Sequence, residues 1–421
     1  MNGFDIAAIL AAAAAGFGYL NHRVLRLPAT SGTLIVSLVS SVLVLAADRT
    51  FPQLKLEEFV ATFLGRIDFN ETLMHGMLSF LLFAGALHVD LEGLLANKWT
   101  IGSLATVGVL LSTAIVGVAT WWIFGLLGLG MPLSVCLTFG ALISPTDPIA
   151  VMGLLKELRA PRSLEAQIAG ESLFNDGIGV VVFFAMVSIA GLSPSAHFVL
   201  SATGLLTFFA REVLGGAALG LALGYAGYRA LKSINDHPLE LLITLALAMF
   251  IYSLSFWIHV SGPIAVVVAG VLIGNPGRQF AMSDRTREHV DAFWSMIDEI
   301  LNAVLFLLIG LQVLTMPRDA HVVGAGLIAI PVTLLARLAS VAVPVATMSV
   351  RGRLGRGIVP ILTWSGLRGG LSVAMALSLP KFPGREILLA CTYAVVVFSI
   401  VVQGLTVRRM LIYYGVGEAA P

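Results

Sequence analysis

A chain of 421 residues that is 58% hydrophobic and only 12% charged, with a mean hydropathy of +0.94, is too apolar for a soluble core and reads as an all-α polytopic membrane protein. Its 25 Lys and Arg stand against 24 Asp and Glu, so there is no basic excess for a nucleic-acid partner. Cys136 and Cys391 lie in apolar runs, where they pack rather than bind metal, and no cofactor is implied.

Apolar runs long enough to cross a bilayer, separated by Pro, Gly and charge, number about thirteen. They are expected near 4–20, 30–47, 72–89, 101–128, 132–155, 165–190, 204–228, 239–258, 262–274, 289–315, 322–348, 358–379 and 387–412. Met1 to Asp5 carry no Lys or Arg, so the first run is expected to be a retained helix rather than a cleaved signal. The spans are expected to fill the chain as a single membrane domain over 1–421 with no soluble domain. Between the second and third spans, Leu56, Phe59, Val60, Phe63, Leu64 and Ile67 recur at helical spacing opposite Lys55, Glu57, Glu58, Arg66 and Asp68. That pattern suits a helix lying in the headgroup plane or one packed on a subunit interface. In the seventh span Gly216, Gly220 and Gly224 repeat every four residues and form a close-packing face.

Counting Lys and Arg in alternate connections gives sixteen on the side of Arg23, Arg26, Lys98 and Lys156 and six on the other, which includes Arg49, Lys55 and Arg318. The basic side is cytoplasmic, so the N-terminus is expected outside and the C-terminus inside. Arg211, Arg337 and Arg368 fall within or at the edge of spans and escape this count.

Two spans are interrupted. The fifth contains Ser144-Pro145-Thr146-Asp147-Pro148, in which two prolines one turn apart cannot share a continuous helix. Asp147 and Pro148 suit the N-cap and first position of a second half-helix opening in mid-membrane. The twelfth carries Trp364-Ser365-Gly366-Leu367-Arg368-Gly369-Gly370, a glycine-rich break around a charge. An offset of seven spans inverts the second copy, so the chain fits an inverted-topology repeat over about 4–190 and 239–412, with 204–228 as linker.

The remaining polar stretch at membrane depth is Gly170-Glu171-Ser172-Leu173-Phe174-Asn175-Asp176-Gly177. Ionisable groups there are costly and by default functional. On a helix Ser172, Asn175 and Asp176 share one face, which presents a hydroxyl, an amide oxygen and a carboxylate, ligands for a hard cation. Freed carbonyls at the breaks add to that set, and Thr146 offers a carbonyl and a hydroxyl near Asp176. Asp147 and Arg368 are placed to neutralise unpaired half-helix ends, Asn175 to orient Thr146 or Asp176, and Glu171 to pair with Arg337. Asp298, Glu299 and Asn302 open the tenth span, where a solvated or helix N-terminal role is expected.

Thr146-Asp147-Pro148, the run from Glu171 through Ser172, Asn175 and Asp176 to Gly177, and Gly366-Leu367-Arg368-Gly369 resemble the signature motifs of NhaP-type sodium/proton antiporters, in the monovalent cation:proton antiporter superfamily. The resemblance extends from about residue 30 to 412. It implies thirteen helices with two crossed broken ones, a homodimer in the cell membrane, a role in pH homeostasis, and one Na+ or Li+ exchanged for one H+. It further implies that Thr146, Ser172 and Asp176 ligate the ion, that Asn175 and Asp147 organise the crossing, and that Glu171 pairs with Arg337. Many relatives carry an acid where this chain has Ala84, and His88 and Asp90 lie further along the same helix. A sodium-coupled symporter would use the same fold class but needs a second polar cavity. An intramembrane aspartyl enzyme would pair Asp147 with Asp176, a pairing that Pro148 and the cation-type ligands fit poorly. A passive channel is the third alternative, and it differs in leaving flux uncoupled from protons.

Overall fold

Proline and small polar residues decide where the helices of this chain begin. The computed structural model describes residues 3–67, 70–192, 201–316, 319–349 and 357–416. The chain enters with α1 (Phe4–Leu25) and α2 (Ala29–Thr50), the latter starting directly after Pro28. A short α3 (Leu56–Leu64) follows, then α4 (Thr72–Leu87) and α5 (Lys98–Leu126). The fifth expected span is split into α6 (Leu133–Ile143) and α7 (Ile149–Glu157), and α8 (Arg162–Ile189) starts after Pro161. The second half comprises α9 (Thr203–Lys232), α10 (His237–Ile258), α11 (Gly262–Leu272), α12 (Asp284–Gln312) and α13 (Ala320–Ser349). The twelfth expected span is again split, into α14 (Ile358–Ser365) and α15 (Gly370–Ser378), before α16 (Arg385–Tyr413).

Among the described residues nine helices are long and apolar enough to cross a membrane. The other four expected positions hold α4, the short α11 and the two split pairs. Arg318, Arg351, Arg353 and Arg356, which enter the orientation count, and Asp68 of the amphipathic stretch lie outside the described residues.

The helices pack as two bundles. In one, α5 lies along α6 and α13, α6 along α8, and α13 along α16. In the other, α2 packs on α12, while α11 is held by α4, α9 and α10. The glycine repeat of α9 makes the second contact possible. A Cβ on Gly216 or Gly220 would stand 2.6 or 2.3 Å from the carbonyl oxygens of Ser261 and Ala265, so only hydrogen lets α11 approach so closely.

The amphipathic α3 is not simply laid on lipid. Its start is fixed by the Asp48 carboxylate at the end of α2, which accepts the Leu56 N–H at 2.7 Å. Leu64 and, just beyond the helix, Ile67 are buried with Leu10, Ala14, Leu307 and Leu308, so this stretch clips α1 to α12, while Phe59 remains 70% exposed.

Candidate ion-binding site

Ser144 to Pro148 have no helical ladder, because Pro145 and Pro148 lack the N–H that would continue one. The freed groups are taken up by α8. The Thr146 N–H donates to Asn175 Oδ1 at 3.1 Å, and Asn175 Nδ2 donates to Thr146 Oγ1 at 2.8 Å, so both ends of one amide hold one residue. Ser172 Oγ lies 3.0 Å from the same Thr146 Oγ1.

Asp147 joins the two breaks. Its N–H donates to the Leu367 carbonyl at 2.8 Å, an isolated antiparallel bridge between the interrupted spans. Its Oδ1 accepts the Ile149 N–H at 2.9 Å at the start of α7. The residue at the N-cap is Pro148, one position later than the sequence spacing suggests, yet the Asp147 carboxylate still serves the helix end. Asp147 also lies against the start of α15, where a Cβ on Gly369 would come within 2.1 Å of its Oδ2.

The basic groups serve the opposite ends. Arg368 is 2% exposed, and its Nη1 donates to the carbonyls of Ser144 and, at 2.9 Å, Pro145. These belong to the C-terminal end of α6, so an arginine from the second break satisfies the first. Arg337, on α13, pairs through Nη1 with Glu171 and donates through Nη2 to the Leu362 carbonyl at 2.9 Å, in the last turn of α14. Arg211 donates to the Ile258 carbonyl at 2.9 Å, at the end of α10. All three arginines left over from the loop count therefore meet carbonyls near helix C-termini.

The backbone of the second break has support that the sequence reading missed. The Arg368 N–H donates to Ser399 Oγ at 2.8 Å, which donates to Gln403 Oε1 at 2.7 Å, and Gln403 Nε2 reaches the Trp364 carbonyl at 3.3 Å. The signal was a hydroxyl and an amide one turn apart within the apolar run of α16.

A cavity of ≈ 630 Å³ separates the two bundles at this level. Thr146, Asp147, Asp176 and Ser372 line it on one side, Leu81, Ala84, Asp298 and Asn302 on the other, and Lys156 and Arg162 stand in its wall towards the basic end of the molecule. Asp176 is half-buried in this wall and within electrostatic reach of Asp147. Glu171, Ser172 and Asn175 are buried behind the wall, where Ser172 touches the cavity's chemistry only through Thr146.

Of the two settings expected for Asp298, solvated or at a helix N-terminus, the structure departs from the second. Asp298 lies well inside α12 rather than at a helix start, faces the cavity, and accepts from Asn302 Nδ2 at 3.1 Å. His88 and Asp90 are engaged locally. His88 Nδ1 is 2.8 Å from the Ala84 carbonyl, and Asp90 caps Leu91–Ala96 by accepting from the N–H groups of Glu92 and Gly93 at 3.2 and 3.0 Å. The cavity wall thus presents to a cation the carboxylates of Asp147, Asp176 and Asp298 together with Thr146, which carries a hydroxyl and a carbonyl outside the helical ladder.

Comparison with known proteins adds the following. The transmembrane sodium/hydrogen exchanger family matches residues 9–413. The Na(+)/H(+) antiporter NhaP of Pseudomonas aeruginosa is 45% identical over 418 residues, covering 98% of this chain and 97% of that protein. The Na(+)/H(+) antiporter NhaH of Halobacillus dabanensis is 36% identical over 353 residues, 82% of this chain and 83% of its own. In fold, the chain is similar to the sodium proton antiporter MjNhaP1 of Methanocaldococcus jannaschii at pH 8, with a TM-score of 0.76, 17% identity, and coverage of 99% of this chain and 100% of that one.

Proposed function

The chain belongs to the sodium/hydrogen exchanger family, and from that premise we propose that it is an integral membrane antiporter exchanging Na+, with Li+ or K+ as alternatives, for H+ at Asp176. The observation that carries this reading is the placement of Asp176 beside Thr146 in the wall of a cavity between two helix bundles. Thr146 and Asp176 contact the ion directly, and Ser172 completes the set through a hydroxyl now bonded to Thr146. Asn175 and Asp147 organise the first break, Glu171 and Arg337 form a structural ion pair, and Arg368 neutralises the crossing. The protein itself is not an enzyme and needs no cofactor. It works as a homodimer in the cell membrane, N-terminus outside and C-terminus in the cytoplasm, so the cavity beside Lys156 and Arg162 opens inward.

Coupling follows from charge. An ionised carboxylate facing hydrocarbon is unfavourable by about 3 kcal/mol or more. Asp176 is neutralised by a proton or by a sodium ion, and the two compete for it. Only the two neutral states let the bundle carrying the site move past its partner, while the empty charged site is held back. Asn175 beside Asp176 leaves one titrating group, so one Na+ exchanges for one H+ and transport is electroneutral.

Proteoliposomes with an internal pH dye test this. Asp176→Asn should abolish sodium-driven pH change while leaving thermal unfolding near wild type. The wild type's apparent Na+ affinity should weaken roughly tenfold for each pH unit below the site pKa, at nearly constant maximal rate. Exchange by Asp176→Asn at near wild-type rate would make Asp147 the carrier instead, and a sustained current proportional to flux would refute the one-for-one stoichiometry.

A further inference from the structure

Resting on that reading, we infer that Ser372 is a ligand of the transported cation, contributed by the second interrupted span. The sequence gives no hint of it, since Ser372 sits among Leu371, Val373 and Ala374 in an apolar half-helix.

Three observations converge on its side chain. Ser372 is in the wall of the same cavity as Thr146, Asp147 and Asp176. It is 1% exposed, and its Oγ has no hydrogen-bond partner among the described residues. A buried hydroxyl left unpaired is unfavourable, and native structures leave few such groups without a water, an ion or a catalytic role. Several interior serines turn back onto a carbonyl of their own helix, as Ser37 does to Leu34 at 2.8 Å and Ser340 to Arg337 at 3.0 Å, while Ser112, outside the cavity wall, shares the unpartnered state of Ser372. Ser372 is in the first turn of α15, which starts at Gly370, and the carbonyls three and four residues back belong to Gly369 and Arg368, both of which precede the helix. The break that creates the site therefore also removes the partner its hydroxyl would otherwise take.

Position fixes what the free oxygen can meet. Gly369, three residues before Ser372, abuts the Asp147 carboxylate, and α15 packs along α6 and α8, the helix that bears Asp176. Ser372 is thus three residues along the chain from the backbone that abuts Asp147, on a helix packed against the one that bears Asp176. A hydroxyl oxygen is a neutral hard donor suited to Na+ or Li+. It adds a ligand from the second repeat to Thr146 and Asp176 of the first, so the occupied site ties both broken spans together. Ser172 differs in having its hydroxyl already engaged with Thr146 behind the wall.

The test uses the full-length protein in proteoliposomes. Ser372→Cys keeps the side-chain volume but replaces a hard oxygen with soft sulfur, and Ser372→Ala removes the donor. Both should raise the apparent KM for Na+ and Li+ at least fivefold, with maximal rates within twofold of wild type and unchanged melting. Ser372→Cys should keep competition by Tl+, a soft monovalent cation, close to wild type, whereas a packing role would weaken all three cations alike. Wild-type KM for Na+ and Li+ in Ser372→Cys would overturn the assignment. So would equal weakening of Na+, Li+ and Tl+. If Ser372→Ala fails to fold, Ser372→Cys decides alone. Absence of sodium-driven exchange in the wild type would instead refute the antiport reading on which the inference rests.

Discussion

The two interrupted spans differ in the sign of the charge they carry, and each charge reaches across to the other break. The first break bears Asp147, which caps its own α7 and lies against Gly369 at the entrance to α15. The second bears Arg368, which satisfies the carbonyls at the end of α6. A broken helix in hydrocarbon exposes N–H groups at one end and carbonyls at the other, and one side chain cannot serve both. Exchanging an acid for a base between the two interrupted spans solves the problem with one residue from each break. The comparison also separates groups buried in the protein from those that face the cavity. Arg337, Arg368 and Glu171 are buried behind the cavity wall, whereas Asp176 and Thr146 are in it.

The largest effect is expected where a buried charge loses its counter-charge. Arg337→Ala leaves Glu171 uncompensated and frees the Leu362 carbonyl, at a stability cost of about 3–5 kcal/mol. Glu171→Gln should act in the same direction. Thermal unfolding of the purified protein should show the loss before ion selectivity changes, and a variant with normal melting but altered Na+ affinity would move Glu171 into the ion site.

Arg368→Lys tests the exchange of charges directly. It keeps the charge but not the planar fork that reaches two carbonyls, so one of Ser144 and Pro145 loses its partner, a cost of about 1–3 kcal/mol. Full stability and exchange in this variant would mean that charge alone, not geometry, holds the crossing.

Gly369→Ala probes the acid's side of the same contact. The added methyl would overlap Asp147 Oδ2, and the shift needed should cost about 1–3 kcal/mol and slow exchange several-fold. Unaltered kinetics would show that Asp147 and α15 move independently.

The smallest structural effect is expected for Asp147→Asn. The amide oxygen can still accept the Ile149 N–H, so stability should change by less than about 1 kcal/mol. Exchange at Asp176 should persist, and its pH profile measured against wild type reports whether Asp147 shares the proton. Complete loss of exchange with normal folding would reverse the roles of the two aspartates.

The sequence by itself determined the membrane class, the places where spans break, and the stretch around Asp176. These follow from composition and from local chemistry that acts within a few residues: apolar length, proline's missing N–H, and helical periodicity. The close-packing glycines of α9 were legible for the same reason, as hydrogen-only side chains at a four-residue repeat. Tertiary structure decided what each polar group meets. Arg368 serves carbonyls more than 220 residues away in the chain, a pairing that no local pattern encodes. Likewise, only the packing of α12 turned Asp298 towards the cavity, and only the unwinding at Arg368 left the Ser372 hydroxyl unpaired. Local chemistry fixes where a backbone group is freed, but the partner that satisfies it is chosen by whichever helix the fold brings alongside.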